Sequence, residues 1–242
     1  MSEVVMEAVN VAKVLGSGPS QIRALKGVSL TLRGGELTLL MGPSGSGKTT
    51  LLSILGCMLT PTEGTVRVRG ASVEGKAPEE LAKLRRENVG FVFQSYHLFP
   101  TLSAADNVRL AIDVRDERGR HAKARAREAL ARVGLAEKTG NYPLQLSGGE
   151  QQRVAIARAV VGEPSVILAD EPTAALDSEN GKAIMGILAG IAKDPKRGVL
   201  VVTHDPRLVP YADRIVHIED GNIVNEERRA KSRSLRETLG KA

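Results

Sequence analysis

A glycine-rich segment carries the most specific chemical pattern in the sequence. Residues 42–49 read Gly-Pro-Ser-Gly-Ser-Gly-Lys-Thr, after an apolar run at 37–41 and before a helix-like stretch that starts at Thr50. This order of strand, loop and helix is the context in which the pattern binds phosphate, because glycine backbone lets successive N–H groups converge on phosphate oxygens at a helix N-terminus. Lys48 adds a positive charge for the outer phosphates, and the Thr49 hydroxyl suits Mg²⁺. The predicted nucleotide-binding residues are Gly42, Pro43, Ser44, Gly45, Ser46, Gly47, Lys48, Thr49 and Thr50.

Two adjacent carboxylates, Asp170 and Glu171, follow a second apolar run at 166–169. Ligands of open α/β sheets bind where strands end, so both carboxylates are predicted to face the phosphates. Asp170 is expected to hold Mg²⁺, and Glu171 is expected to act as the general base that polarises the attacking water. An ordinary acidic junction between strand and loop is the alternative, and the phosphate loop upstream disfavours it.

Gln94 and His204 also come directly after apolar strands. The neutral amide of Gln94 is predicted to reach both the metal ion and a water molecule. His204 is predicted to donate a hydrogen bond to the γ-phosphate, although a loop histidine with no catalytic role is the common alternative.

A second glycine motif, Leu-Ser-Gly-Gly-Glu at residues 146–150, precedes a helix-like run at 151–161. We call it the Ser-Gly-Gly segment. The Ser147 hydroxyl and the amides of Gly148 and Gly149 would form a second anion site at a second helix N-terminus. A simple helix cap with a flexible glycine pair, continued by Glu150, fits the same spacing.

Strands that alternate with helices predict an α/β fold around these motifs. Short antiparallel strands are expected in residues 1–35, and an almost wholly helical insert is expected between 102 and 161. The other predicted elements are strands at 65–70, 89–93, 165–170 and 199–203, and helices at 78–86 and 178–193. A charged tail from Glu226 is predicted to fray.

Composition narrows the function classes. The chain has 242 residues, of which 42% are hydrophobic and 26% charged, and a formal net charge of +6. No apolar run approaches the roughly 20 residues that span a bilayer, and no secretory signal starts the sequence, so a cytosolic location is expected. Six aromatic residues and no tryptophan disfavour specific nucleic-acid binding, which uses aromatic stacking platforms. The single cysteine, Cys57, is interpreted as part of the core within the helix after the phosphate loop.

Taken together, the motifs resemble the nucleotide-binding subunit of ABC transporters, over roughly residues 4–225. The resemblance implies an ATPase with a P-loop NTPase (RecA-like) core, an antiparallel β subdomain and an α-helical subdomain inserted at about 95–163, with 226–242 as a flexible tail. The motifs occur in the order of the family: residues 42–49, Gln94, and residues 146–153, 167–173, 175–177 and 203–205.

The resemblance also implies how these residues work. Two subunits sandwich two ATP molecules as an ATP-dependent homodimer, and Ser147, Gly148, Gly149 and Glu150 of one subunit act on the ATP held by the other. Glu171 becomes the general base, His204 the switch histidine and Gln94 the coupling glutamine, while Asp177 contacts the dimer partner. The Mg²⁺ ligands would be Thr49, Gln94 and Asp170.

A finer resemblance is to the branch that serves macrolide efflux (MacB) and lipoprotein release (LolD), on residues 54–57, 84–88, 91–98 and 203–207. It implies a separately encoded membrane permease that docks between Gln94 and Leu102, on the cytoplasmic face of the inner membrane, and export of a lipid, lipoprotein or drug-like substrate. A soluble ABC-type ATPase without a transport role, and a nucleotide-regulated scaffold with little turnover, are the alternatives.

One position departs from the family pattern. The aromatic residue that usually stacks on adenine is replaced by Leu15, and no aromatic residue occurs in the first ninety positions. Losing that stack costs on the order of 1 kcal/mol. Weaker or less base-selective nucleotide binding is therefore predicted.

Overall fold

The computed structural model describes residues 2–115 and 120–229. Within them the chain forms two sheets and six α-helices. The strands are β1 (Val4–Leu15), β2 (Ile22–Arg33), β3 (Leu37–Met41), β4 (Glu63–Val68), β5 (Ala71–Ser72), β6 (Val89–Val92), β7 (Val166–Asp170), β8 (Gly198–Thr203), β9 (Arg214–Glu219) and β10 (Asn222–Arg228). The helices are α1 (Lys48–Leu55), α2 (Pro78–Asn88), α3 (Ala104–Asp113), α4 (Arg120–Arg132), α5 (Gly148–Val160) and α6 (Ser178–Ile191).

The larger sheet has the strand order β10-β9-β3-β8-β7-β6. Its strands from β9 to β6 are parallel, and β10 runs antiparallel to β9. Strands β3 and β8 are buried along their whole length, as expected for near-continuous apolar runs covered on both faces. The carboxyl ends of β3, β7 and β8 therefore meet at one edge, where the phosphate loop begins.

The smaller sheet is antiparallel, with the order β2-β1-β4-β5. Strands β1 and β2 form a long hairpin in which Leu15 pairs with Ile22 next to the turn. The inward side chains of this sheet pack with α1 and one face of the larger sheet in a common core that includes Val11, Leu52 and Leu168.

Three helices, α3, α4 and α5, lie between β6 and β7 in the chain. Buried alanines at Ala122, Ala126 and Ala129 recur at helical spacing, so α4 packs one smooth face on its neighbours while its charged side chains face outward. No helix among the described residues is long and apolar enough to cross a membrane.

The predicted fold class is confirmed, with three corrections. Strands β9 and β10 are not predicted from the sequence. Residues 226–228, predicted to begin a fraying tail, instead belong to β10, because their backbone pairs with β9 and Glu226 forms an ion pair with Arg214; residues 230–242 of the predicted tail lie outside the described part. Cys57 is buried as expected but follows α1, which ends at Leu55, with a left-handed φ of 54°.

Candidate active site

The phosphate loop joins β3 to α1 and presents backbone groups to an open cleft. Gly47 is the N-cap of α1 with φ 99°, and Gly45 has φ 79°, values that favour glycine. The Lys48 ammonium, only 9% exposed, donates to the carbonyl oxygens of Gly42 at 2.7 Å and Pro43 at 2.6 Å. The Ser46 hydroxyl is buried and has no hydrogen-bond partner. The loop thus holds a positive charge beside the N-terminus of a helix, which favours an anion.

Close packing also requires glycine in this loop. A Cβ added to Gly42 would lie 2.1 Å from the Ile218 carbonyl oxygen, and one added to Gly47 would lie 2.6 Å from the Ala24 carbonyl oxygen. Side chains at either position would displace neighbouring backbone.

The chain changes direction between the adjacent residues Asp170 and Glu171, at the end of β7. The Asp170 carboxylate accepts a hydrogen bond from the Thr49 side chain. Burial is the main cause that raises the pKa of Asp170, and the negative charge of Glu171 is the second. Glu171 has a left-handed φ of 45°, while its backbone N–H still donates to the Val202 carbonyl at 3.0 Å. This kink lets the neighbouring carboxylates take different partners.

Glu171 pairs with His204 across the ends of β7 and β8. The Glu171 Oε1 atom lies 2.7 Å from the His204 Nδ1 atom. The His204 side chain is largely exposed and that of Glu171 is mostly buried. The contact fixes the histidine ring at the mouth of the cleft and orients the carboxylate.

A cavity of about 840 Å³ contains most of the predicted site, a volume within the range of small-molecule sites. Gly42 and Ser46 belong to the same loop but do not line the cavity. Leu15, Ile22, Arg23, Lys26 and Asp220 line it as well. The predicted residues that line it are Pro43, Ser44, Gly45, Gly47, Lys48, Thr49, Thr50, Gln94, Asp170, Glu171 and His204.

The Ser-Gly-Gly segment and Asp177 lie outside this cavity. Ser147 is the N-cap of α5, where its hydroxyl accepts from the Glu150 N–H at 3.3 Å and the Glu150 carboxylate accepts from the Ser147 N–H at 2.8 Å. The helix-cap interpretation is therefore confirmed within one chain. Asp177 caps α6 through the N–H groups of Glu179 and Asn180.

Ile22, Arg23, Lys26 and Asp220 are cavity residues that the sequence did not predict. Only Ile22 could have been predicted from the sequence, because a hairpin after Leu15 would place Ile22 opposite Leu15 on the next strand. Asp220 reaches the cavity through the turn between two unpredicted strands.

The donor set fits Mg²⁺. The Thr49 hydroxyl and Asp170 carboxylate are already in hydrogen-bonding contact, and the Gln94 amide lines the same cavity. These are oxygen ligands with only one carboxylate, as suits an ion that keeps several waters and binds substrate phosphates. No cluster of three or more His, Cys, Asp or Glu side chains that could hold a metal ion occurs in the part of the chain that the structure describes.

A phosphate loop after a central parallel strand, with an acidic residue at the end of another parallel strand of the same sheet, defines a P-loop nucleotide-binding domain. Here the phosphate loop follows β3, and Asp170 ends β7, on the far side of β8. The sequence profile described as ABC transporter matches residues 25–174. The chain therefore belongs to the ABC transporter family, and it is an ABC ATPase domain.

Curated relatives include the macrolide export ATP-binding/permease protein MacB of Salmonella paratyphi A, which is 48% identical over 220 residues. The match covers 91% of this chain and 34% of that protein. A MacB of Aeromonas hydrophila is 45% identical over 229 residues, with 95% and 35% coverage. The chain thus spans about a third of the length of these relatives.

Solved structures give similar matches. The dimeric ATP-binding cassette MJ0796, in a post-hydrolysis state with ADP and Pi, has a TM-score of 0.84 at 41% identity, covering 93% of this chain and 99% of that one. The cbiO1 protein of Clostridium perfringens, part of an ABC transporter complex, has a TM-score of 0.83 at 28% identity, covering 93% and 88%.

Proposed function

We propose that the chain hydrolyses ATP as part of a transporter that exports or releases a lipid, lipoprotein or drug-like molecule. The 2.7 Å contact between Glu171 and His204 at the mouth of the phosphate cavity carries the hydrolysis step of this proposal. It pairs a mostly buried carboxylate with an orienting imidazole, which nucleotide binding alone does not require.

The residues divide the reaction between them. Lys48 and the loop amides hold the β- and γ-phosphates. Glu171 accepts the proton of the water that attacks the γ-phosphorus, while the bond to the ADP oxygen breaks and inorganic phosphate leaves. His204 keeps Glu171 in place and donates toward the γ-phosphate. When bound by Thr49, Asp170 and Gln94, Mg²⁺ supplies charge neutralisation to the phosphates.

The working unit is an ATP-dependent homodimer. The Ser-Gly-Gly segment and Asp177 lie outside the chain's own cavity, and similar cassettes are dimeric. Ser147, Gly148, Gly149 and Glu150 therefore act on the ATP of the partner subunit, and Asp177 lies at the contact.

The membrane permease docks beside the segment between Gln94 and Leu102, on the cytoplasmic face of the membrane. A groove of about 320 Å³ between β6, α3 and α5 reaches this segment at His97. We call it the docking groove; apolar side chains such as Phe91, Phe93 and Ala111 line it together with the three arginines Arg86, Arg115 and Arg158. Similar proteins are named ATP-binding/permease proteins for macrolide export, which supports an export role.

ATPase activity tests the hydrolysis step of the proposal. Wild-type protein and Glu171→Gln are compared by phosphate release at saturating ATP, with fluorescent-nucleotide binding as a control. We expect at least a 100-fold loss of turnover in the variant with nucleotide affinity retained. Equal rates would show that Glu171 is not the base.

A further inference from the structure

Helix α5, which begins at the Ser-Gly-Gly segment, contacts the residues directly after Gln94. Gly148 forms its first turn, and a Cβ added to Gly148 would lie 2.9 Å from the Tyr96 hydroxyl oxygen. Burial raises the pKa of Tyr96, in agreement with a phenol packed against protein. The Tyr96 ring thus lies over the turn that carries the Ser-Gly-Gly segment.

A second contact lies ten residues further along α5. The guanidinium of Arg158 donates to the Tyr96 carbonyl at 2.7 Å and to the His97 carbonyl. Gly148 and Arg158 are about 15 Å apart along the helix axis, so the two contacts together fix the direction of α5 and not only its position. Burial lowers the pKa of Arg158.

The segment held by Arg158 has an unusual backbone. Tyr96 has φ 60° and His97 has φ 48°, a region that side chains with a Cβ rarely occupy. Such conformations persist where the surrounding structure enforces them. The two carbonyl groups that accept from Arg158 belong to these same residues, so Arg158 stabilises the conformation.

A third contact joins α5 to the catalytic strand end. The buried side-chain amide of Gln152 donates to the Pro172 carbonyl at 2.9 Å, and Pro172 directly follows Glu171. Helix α5 is therefore attached to the Ser-Gly-Gly turn, to the residues after Gln94 and to the residue after the proposed base.

We propose that Arg158 is a positioning residue that ties the docking groove to the Ser-Gly-Gly segment through Tyr96 and His97. His97 and Arg158 both line the docking groove, so a partner that enters the groove contacts both residues directly. Holding α5 in one direction presents Ser147 and Gly148 correctly to the partner subunit's ATP. This role rests on the proposed function, because it matters only if the two subunits share their ATP sites.

Arg158→Met tests the positioning role, with Arg85→Met as matched control. Arg85 also donates to a backbone carbonyl, that of Cys57 at 2.7 Å, but this bond joins α2 to the residues after α1 and does not involve α5. For Arg158→Met we expect at least a fivefold lower kcat with KM for ATP within twofold of wild type. Weaker ATP-driven dimerisation should accompany it in a Glu171→Gln background, measured by sedimentation. Arg158→Lys should recover part of the kcat, and Arg85→Met should stay within twofold of wild type.

Tyr96→Gly keeps the test valid if Arg158→Met folds poorly. Glycine accepts the left-handed backbone at this position while the ring over Gly148 is removed, so thermal stability should be kept and kcat should fall at least threefold. Normal kcat in Tyr96→Gly, or an equal loss in Arg85→Met, would overturn the positioning role. Failure of the wild-type protein itself to hydrolyse ATP or to dimerise would instead count against the proposed function.

Discussion

Asp170 and Glu171 show how two adjacent carboxylates acquire separate tasks. Asp170 accepts from the Thr49 hydroxyl, whereas Glu171 turns away through a left-handed backbone and pairs with His204. Burial and the neighbouring Glu171 raise the pKa of Asp170. A carboxyl group whose pKa is raised on folding destabilises the fold. This penalty is absent below the unfolded-state pKa, grows as pH rises from the unfolded-state pKa to the raised folded-state pKa, and is complete above it.

Asp170→Asn should therefore be more stable than wild type in the absence of nucleotide. Removing the buried charge while keeping an acceptor for Thr49 is expected to add on the order of 1 kcal/mol at pH 8, and the gain should shrink toward pH 4. ATPase activity should be lost, because the substitution removes the only carboxylate from the proposed Mg²⁺ ligands. Urea unfolding at several pH values measures the difference in the free energy of unfolding between the two proteins. An Asp170→Asn variant that is less stable than wild type at pH 8 would refute the prediction.

The resemblance to the family places the nucleobase beside Leu15, where the cavity lining includes two aliphatic side chains. Leu15 and Ile22 pair across the β1–β2 hairpin, 39% and 68% exposed, and both line the cavity. Leu15→Tyr should tighten ATP binding about fivefold, since a stacked base contributes roughly 1 kcal/mol or more. Val224→Tyr, on β10 and away from the cavity lining, is the control for an added exposed ring. Equal ATP affinity in Leu15→Tyr and wild type, measured by fluorescent-nucleotide titration, would show that the lack of an aromatic residue at position 15 does not weaken ATP binding.

At the scale of elements, the phosphate loop depends on two glycines that differ in their surroundings. Both have left-handed φ values, but the space beside Gly45 is open while a Cβ on Gly47 would meet the Ala24 carbonyl at 2.6 Å. Gly45→Ala should cost about 1 kcal/mol from backbone strain alone. Gly47→Ala should cost clearly more and should also impair nucleotide binding, because the strand carrying Ala24 must move. Thermal unfolding of the two variants, side by side, tests this; equal losses would contradict it.

The sequence predicted strands β3, β7 and β8 because they are apolar on both faces, and their ends placed Thr49, Asp170, Glu171 and His204 correctly at one cavity. It did not predict β9 and β10. Arg214, the first residue of β9, is 3% exposed. In the sequence pattern, however, an arginine indicates a surface position. Ion pairs with Glu36 at 3.1 Å and Glu226 at 3.4 Å compensate its burial, and such distant partners cannot be deduced from spacing.

The contacts that hold α5 were also not predicted from the sequence, because they are made to backbone atoms. Arg158 binds the carbonyl groups of Tyr96 and His97, and Gln152 binds that of Pro172. Any residue type offers a carbonyl oxygen, so the sequence gives no sign of which ones α5 will meet. The chemical motifs were predictable because their side chains do the chemistry, whereas the attachments between elements depend on the tertiary fold.

At the scale of the whole molecule, one chain carries two glycine motifs at helix N-termini that do not meet. The phosphate loop lines the cavity, while the Ser-Gly-Gly segment caps α5 outside it. A site shared between two subunits explains this separation, and symmetric dimers of this kind contain two such sites. Ser147→Arg should then leave ATP binding to the monomer intact and abolish dimer closure and hydrolysis, because a long charged side chain replaces the hydroxyl at the contact.

Mixing two inactive variants separates a shared site from a site within one chain. Lys48→Ala disables the phosphate loop, and Ser147→Arg disables the Ser-Gly-Gly segment. In a mixed dimer with shared sites, both defects fall in one site and the other site is complete. With random association about half of the dimers are mixed, so phosphate release should recover to about a quarter of the wild-type rate. If each chain completed its own site, every site in the mixture would be defective and no activity would return.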